Sequence, residues 1–173
     1  MKKRNVFALE TLACLAVLTA LQVVLSRFLS VPLWNLKFGF SFVPVLIAAN
    51  LYGPLGAAAV YGIGDFVGAL AFPQGTYFPG FTFSAVLSGI IWGIFLKGQI
   101  KPFKAVLSVV TVQTLCSFLM NSYWISFISG APFSSLLATR WPQSLAYAAL
   151  HLVFIFLFLG KIGNLVKKIM KQV

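Results

Sequence analysis

Apolar residues run through this chain in long blocks, and polar or turn-forming residues separate the blocks at fairly regular distances. A helix crossing a bilayer needs roughly 20 such residues. The first block runs from Val6 to Leu25 and is followed by Arg27 to Phe38 (RFLSVPLWNLKF), where Arg, Pro, Trp, Asn and Lys break the pattern and predict a loop. A short block from Gly39 to Tyr52 ends at Gly53-Pro54-Leu55-Gly56, a tight turn. The third block reaches Phe72, and its Ala57, Ala58, Ala59, Gly62, Gly64 and Gly68 predict a thin, closely packed helix. After a Pro/Gly/aromatic stretch, the fourth block runs from Phe81 and repeats small residues at Ala85, Gly89 and Gly93. Lys97 to Lys104 predicts a basic inner loop, a fifth block covers Ala105 to Ile128, and Ser129 to Arg140 predicts a polar outer loop. A sixth block precedes a basic tail from Lys161. The prediction is an all-α integral membrane protein: one domain, residues 1–173, forming a six-transmembrane-helix bundle with spans at about 6–27, 39–52, 55–72, 81–97, 105–128 and 141–160.

Composition agrees and narrows the function. Of 173 residues, 60% are hydrophobic and 9% charged, and the mean hydropathy is +0.97; such a surface cannot be solvated as a soluble globule. Little chain remains for a soluble catalytic domain. The first block is longer than a secretory signal core and lacks a small-x-small cleavage site, so it is expected to be an uncleaved span. Ten basic residues (Lys2, Lys3, Arg4, Lys97, Lys101, Lys104, Lys161, Lys167, Lys168, Lys171) fall on one side of the predicted layout and three (Arg27, Lys37, Arg140) on the other. Cytoplasmic loops carry the excess of Lys and Arg, so both termini are expected in the cytoplasm of a cell-membrane protein. The net charge of +11 is then topological and does not mark a nucleic-acid binder.

The remaining polar residues are few. Polar groups inside lipid are costly and usually face a cavity or one another. Asp65 lies about 10 Å below the outer end of its span at 1.5 Å per residue, as a structural partner of Arg27 or of a break near Gly64, or as a ligand group. Gln113, Ser117, Asn121 and Trp124 recur at i, i+4, i+8 and i+11, a polar stripe on the fifth span. His151, the only histidine, reads as a core residue, Cys14 and Cys116 as packing residues, and Trp34, Trp92 and Trp141 as interfacial anchors. Tyr77, Phe78, Phe81 and Phe83 suit either an interface belt or a pocket, and Pro73, Gly75, Pro79 and Gly80 favour the pocket by folding them into a turn. Rings, three outer cations, Asp65 and Asn121 together fit a planar heterocycle carrying a carboxylate. No GxxxxGK[ST] loop, HExxH motif, Cys/His cluster or carboxylate pair occurs. The chain is therefore not read as an enzyme and no metal or cofactor is expected; uphill transport would need an ion gradient or a partner ATPase. Ala13, Ala16 and Ala20 make one face of the first helix smooth, for packing within the bundle or for docking a partner.

Several segments resemble one family, the substrate-binding S components of energy-coupling factor (ECF) vitamin transporters, and within it the folate-specific members. They are LTALQVVLSRFLSVP (18–32), KFGFSFVP (37–44), YGPLGA (52–57), GDFVGALAFPQGTYFPGFTFSA (64–85) and NSYWISFISGAPF (121–133) with Arg140, spread over about residues 6–161. The resemblance implies a solute site on the outer side, with Arg27, Asp65, Tyr77, Phe78, Phe81, Asn121, Trp124 and Arg140 as its residues. Arg27 and Arg140 would meet carboxylates or the ring edge, Tyr77, Phe78 and Trp124 would stack on a pteridine, and Asp65 or Asn121 would read its donor edge. It also implies docking through the Ala16–Ala20 element on a membrane coupling subunit that works with two ATP-binding cassette ATPases. S components for riboflavin or thiamine, and a structural membrane subunit, remain the alternatives at this point.

Overall fold

A computed structural model describes residues 9–33, 36–98, 100–159 and 161. In chain order they form α1 (Leu9–Arg27), β1 (Ser30–Leu33), β2 (Leu36–Gly39), α2 (Phe42–Tyr52), α3 (Pro54–Ala71) and α4 (Pro79–Leu96). Next comes α5 (Pro102–Thr111), which continues through a π-helical stretch, Val112–Met120, into α6 (Asn121–Ser129). Last is α7 (Phe133–Phe154), extended by a π-helical Ile155–Leu159. Proline starts α3, α4 and α5, where its missing N–H would have no helical partner anyway. Gly53, at φ 77°, serves both as the end of α2 and the start of α3, so the chain reverses there without a linker.

Four stretches, Leu9–Arg27, Pro54–Ala71, Pro79–Leu96 and Pro102–Ser129, are long and apolar enough to cross a membrane, and Phe42–Tyr52 is apolar but shorter. Length and hydropathy thus single out four of the six expected spans among the described residues.

Two regions differ from the sequence reading. The first expected loop contains an antiparallel hairpin, with Ser30 opposite Gly39 and Leu33 opposite Leu36, so the described fold is helical apart from one small β element. Pro32 is compatible with it because a two-stranded hairpin leaves each strand a free edge. The polar 129–140 segment is a loop only at 130–132; α7 begins at Phe133, and Arg140 lies inside it. Its Ser, Thr and Arg residues imitate a loop in hydropathy while leaving helical backbone bonds intact. Trp34, Asn35, the N-terminal Lys2, Lys3 and Arg4 and the lysines beyond Lys161 lie outside the described residues.

The core centres on α2, where Val45, Leu46, Ala48 and Ala49 are fully buried, with Trp92 and Leu96 of α4 against it. The α3 and α4 helices pack together more extensively than any other pair. A Cβ on Gly89 would sit 2.7 Å from the Ala57 carbonyl oxygen and from the Ala58 Cα, and one on Gly93 would run into the backbone of Gly53 and Pro54. Next to this seam Asn50 Nδ2 donates to the carbonyls of Leu96 and Gly98, both at 2.9 Å, and the Asn50 carbonyl accepts from Gly98 N at 3.1 Å. Asn50 thereby satisfies carbonyls that the end of α4 leaves open.

Candidate functional site

A cavity of about 670 Å³ lies among α1, α3, α4, the α5–α6 helix and α7, within the size range of small-molecule sites. It extends from Ser30, Gly39, Gln74 and Tyr77, beside the hairpin and the 72–78 turn, to Trp92 and His151 deep in the bundle.

Its first wall depends on glycine. On α1, Gln22, Ser26 and Arg27 line the cavity, and α3 presents Gly64 and Gly68 one turn apart. A Cβ at Gly64 would collide with the Gln22 amide, and one at Gly68 would lie 2.8 Å from Arg27 Nε. Arg27 Nη2 reaches the Asp65 carbonyl at 3.5 Å, and Gln74 Nε2 donates to the Arg27 carbonyl at 2.7 Å. The Asp65 carboxylate accepts from Thr82 Oγ1 at 2.8 Å, and that hydroxyl lies 3.2 Å from the Tyr77 hydroxyl. Asp65 therefore ties α3 to α4 through one oxygen while lining the cavity. Arg27 engages its backbone.

The second wall comes from α5–α6 and α7. Gln113, Ser117, Asn121, Ile125 and Ser129 line the cavity at steps of four. In a regular α-helix such a row drifts around the axis; the π-helical stretch has more residues per turn and turns the row back. Arg140 is 7% exposed, and its Nη2 lies 3.5 Å from the Ser117 carbonyl within the π stretch. At the floor, Gln113 Nε2 lies 3.0 Å from His151 Nδ1. The His151 ring is enclosed by Phe42, Trp92 and Tyr147 at centroid distances of 4.2, 5.4 and 5.7 Å.

Of the expected site residues, Arg27, Asp65, Tyr77, Phe81, Asn121 and Arg140 line this cavity, whereas Phe78 and Trp124 are not among its lining residues. Phe78 packs on Phe81, Trp124 and Phe127 at 6.5, 5.4 and 5.7 Å. Trp124 Nε1 donates to Ser84 Oγ at 3.0 Å, and both rings occupy the space a Cβ on Gly80 would fill. These two rings brace the wall from behind. The polar stripe likewise continues through Ile125 and not Trp124. Gln22, Ser84, Ser88, Trp92 and His151 line the cavity without having been singled out for it. Gln22 and Ser26 could have been, as a polar pair one turn apart that leads to Arg27 in an apolar helix. Ala13, Ala16 and Ala20 are exposed on α1.

Several lining side chains carry buried atoms that no protein group reaches: the carboxamide oxygens of Gln22, Gln113 and Asn121, Arg27 Nε, Arg140 Nε and Nη1, and His151 Nε2. Each such atom costs about 1–3 kcal/mol if nothing satisfies it. The cavity is thus furnished for a solute that supplies both donors and anionic acceptors. Among the described residues no group of His, Cys, Asp and Glu could hold a metal ion.

Residues 10–166 match the model of the family described as the ECF transporter, substrate-specific component. This chain belongs to that family. As an ECF substrate-specific component it is a membrane transport protein and not an enzyme. It is similar to the folate transporter FolT of Clostridium novyi, with 34% identity over 157 residues, 90% of this chain and 88% of the relative. It is also similar to the folate transporter FolT of Leuconostoc mesenteroides, with 33% identity over 135 residues, 77% and 69% of the two chains. A crystal structure of FolT bound with folic acid superposes with a TM-score of 0.84 at 27% identity, covering 89% of this S component and 95% of that chain.

Proposed function

We propose that this S component captures folate, or a closely related pteridine, in the cavity between α1 and α7. The carrying observation is the pairing of two arginines that carry buried, unpartnered nitrogens, Arg27 and Arg140, with unpartnered carboxamide oxygens in one cavity. Folate matches that inventory, with a glutamate at one end and a flat ring with an N–H edge at the other. Its carboxylates suit arginine forks, its ring suits Tyr77 and Phe81, and Asp65 or Asn121 would read donors on the ring. Similarity to two folate transporters supports the choice of solute over riboflavin or thiamine.

Lys97, Lys101, Lys104 and Lys161 are exposed, and the first of these lies against Gly53, at the end of the bundle away from the hairpin. Under the positive-inside rule that end is cytoplasmic, with both termini there and six spans in a cell membrane, and the cavity mouth faces outward. Folate bound there passes inward only with help, since the chain carries no nucleotide loop. A membrane coupling subunit and two ATP-binding cassette ATPases provide it. The exposed Ala13, Ala16 and Ala20 form a smooth helix face suited to that coupling subunit.

Tryptophan-fluorescence titration of the purified protein tests the solute, because Trp92 lines the cavity. Saturable change with folate and none with riboflavin or thiamine is the expected outcome. A response to another vitamin alone overturns the solute, and silence to all of them overturns the binding reading.

A further inference from the structure

The floor of the cavity holds an amide and an imidazole whose polarities are linked. Gln113 and His151 are 5% and 6% exposed and meet through Gln113 Nε2 and His151 Nδ1 at 3.0 Å. Two arrangements fit that contact in principle. Either the amide N–H donates to an unprotonated Nδ1, or the amide is reversed and Nδ1–H donates to its oxygen. The surroundings of the ring distinguish them. In the neutral ring, whichever nitrogen does not carry the proton bears a lone pair. Nε2 finds no hydrogen-bond partner in the protein, and the ring lies among Phe42, Trp92 and Tyr147, the first two nearly perpendicular at 76° and 82°. A buried nitrogen set among aromatic rings is better accommodated as an N–H, a weak N–H···π donor, than as an unsatisfied lone pair in electron-rich surroundings. The proton therefore belongs on Nε2, Nδ1 accepts, and Gln113 donates with its NH₂. Its oxygen, which has no protein partner, is left as an acceptor. Gln22, nearly fully buried and lining the same cavity, likewise has an unpartnered oxygen.

We infer that Gln113 is a specificity-determining residue that reads an N–H edge of the solute's ring at the cavity floor, and that His151 is the positioning residue that fixes which end of the Gln113 amide is offered. This rests on the reading of the solute as a pteridine vitamin and specifies its orientation. The ring enters first, with the edge formed by its 2-amino group and N3–H toward Gln113, which then takes the donor-reading part that Asp65 or Asn121 would otherwise play, and the carboxylates remain nearer Arg27 and the hairpin. A sodium ion, the other species that carboxamide oxygens attract, is disfavoured because the cavity wall carries Arg27 and Arg140 against the single carboxylate of Asp65.

The test compares ratios of affinity, which a merely structural effect on the fold would leave unchanged. Folic acid, its 2-desamino analogue and its 3-methyl analogue are titrated into the full-length protein in potassium buffer. The wild type should prefer folic acid to at least one analogue by about tenfold or more. His151→Phe keeps an aromatic ring in the cluster but removes the Nδ1 acceptor, so the amide is free to turn and that preference should fall to about two- to threefold. His151→Asn places an oxygen near the Nδ1 position and should retain the preference. Gln113→Leu should abolish it with the protein still folded. Equal wild-type affinity for all three ligands overturns the inference while leaving folate as the solute, as does a His151→Phe variant that discriminates like the wild type. A requirement for sodium in place of these preferences overturns it too. Wild-type protein that binds no folate overturns the solute reading and this inference together.

Discussion

Glycine plays opposite parts at the two ends of α3. Near its start, beside Gly53, the glycines Gly89 and Gly93 of α4 bring backbone onto backbone, with room for no additional atom. Further along, Gly64 and Gly68 keep α3 bare so that the side chains of Gln22 and Arg27 can lie across it. The first arrangement yields a dry seam in which dispersion and short approach do the work that the hydrophobic effect cannot do between helices in lipid. The second yields a hollow whose polar atoms lack protein partners. One helix, α3, thus anchors the bundle at one end and leaves it open at the other, and stability and binding should respond to different substitutions.

The largest effect is expected from Gly93→Ala. The added carbon meets backbone of Gly53 and Pro54, which cannot rotate away as a side chain could, so a loss of about 3 kcal/mol in stability is expected. A thermal-unfolding series in detergent would reveal it as a lower midpoint, with the folate affinity of the surviving folded protein unchanged. A wild-type midpoint would mean that α3 and α4 are free to separate and that the contrast between the two ends is false.

Arg27→Ala inverts that pattern. The guanidinium makes one long contact, to the Asp65 carbonyl, and its Nε has no partner. The empty protein should therefore unfold near the wild-type midpoint, while folate binding weakens by about 2 kcal/mol, the range of hydrogen bonds to charged groups. Arg27→Lys should recover little of it, since an ammonium lacks the fork. Unchanged affinity would remove Arg27 from the site. Gly68→Ala probes the same contact from the other side. Its Cβ meets Arg27 Nε at 2.8 Å, but the far end of an arginine can shift, so a smaller loss in affinity, about 1 kcal/mol, is expected with the midpoint kept.

These contrasts also explain what the sequence could reveal. Small residues at Gly89 and Gly93 and at Gly64 and Gly68 look alike in a string, and both read as close packing; only the partner facing each glycine separates backbone from side chain. Arg27, Asp65, Tyr77, Phe81, Asn121 and Arg140 were legible because charge, amide and ring are conspicuous against apolar helices, and they all line the cavity. Trp124 does not join the Gln113–Asn121 row along the cavity, because that spacing assumes a regular α-helix through a π-helical stretch, and its indole N–H is engaged by Ser84. His151 passed as core because burial and cavity lining coincide at a floor. The 133–140 part of α7 was hidden by its polar residues, and the hairpin by its shortness.

The smallest effect addresses Asp65, where structural and ligand roles overlap. Its carboxylate accepts from Thr82 Oγ1 at 2.8 Å, a bond that crosses from α3 to α4 just where the dry seam gives way to the cavity. Thr82→Val keeps the branched shape and removes the donor. If the carboxylate serves chiefly to join the helices, the substitution should lower stability by about 1 kcal/mol and leave affinity alone. If it also reads the solute, freeing an oxygen from Thr82 should leave stability lower by the same amount but change the affinity for folate, in the direction of tighter binding, because an acceptor once shared is now wholly available. Paired unfolding and titration measurements on Thr82→Val and Asp65→Asn distinguish the two. Loss of affinity in Asp65→Asn with none in Thr82→Val assigns the carboxylate to the ligand, and equal losses of stability with unchanged affinity in both assign it to the seam.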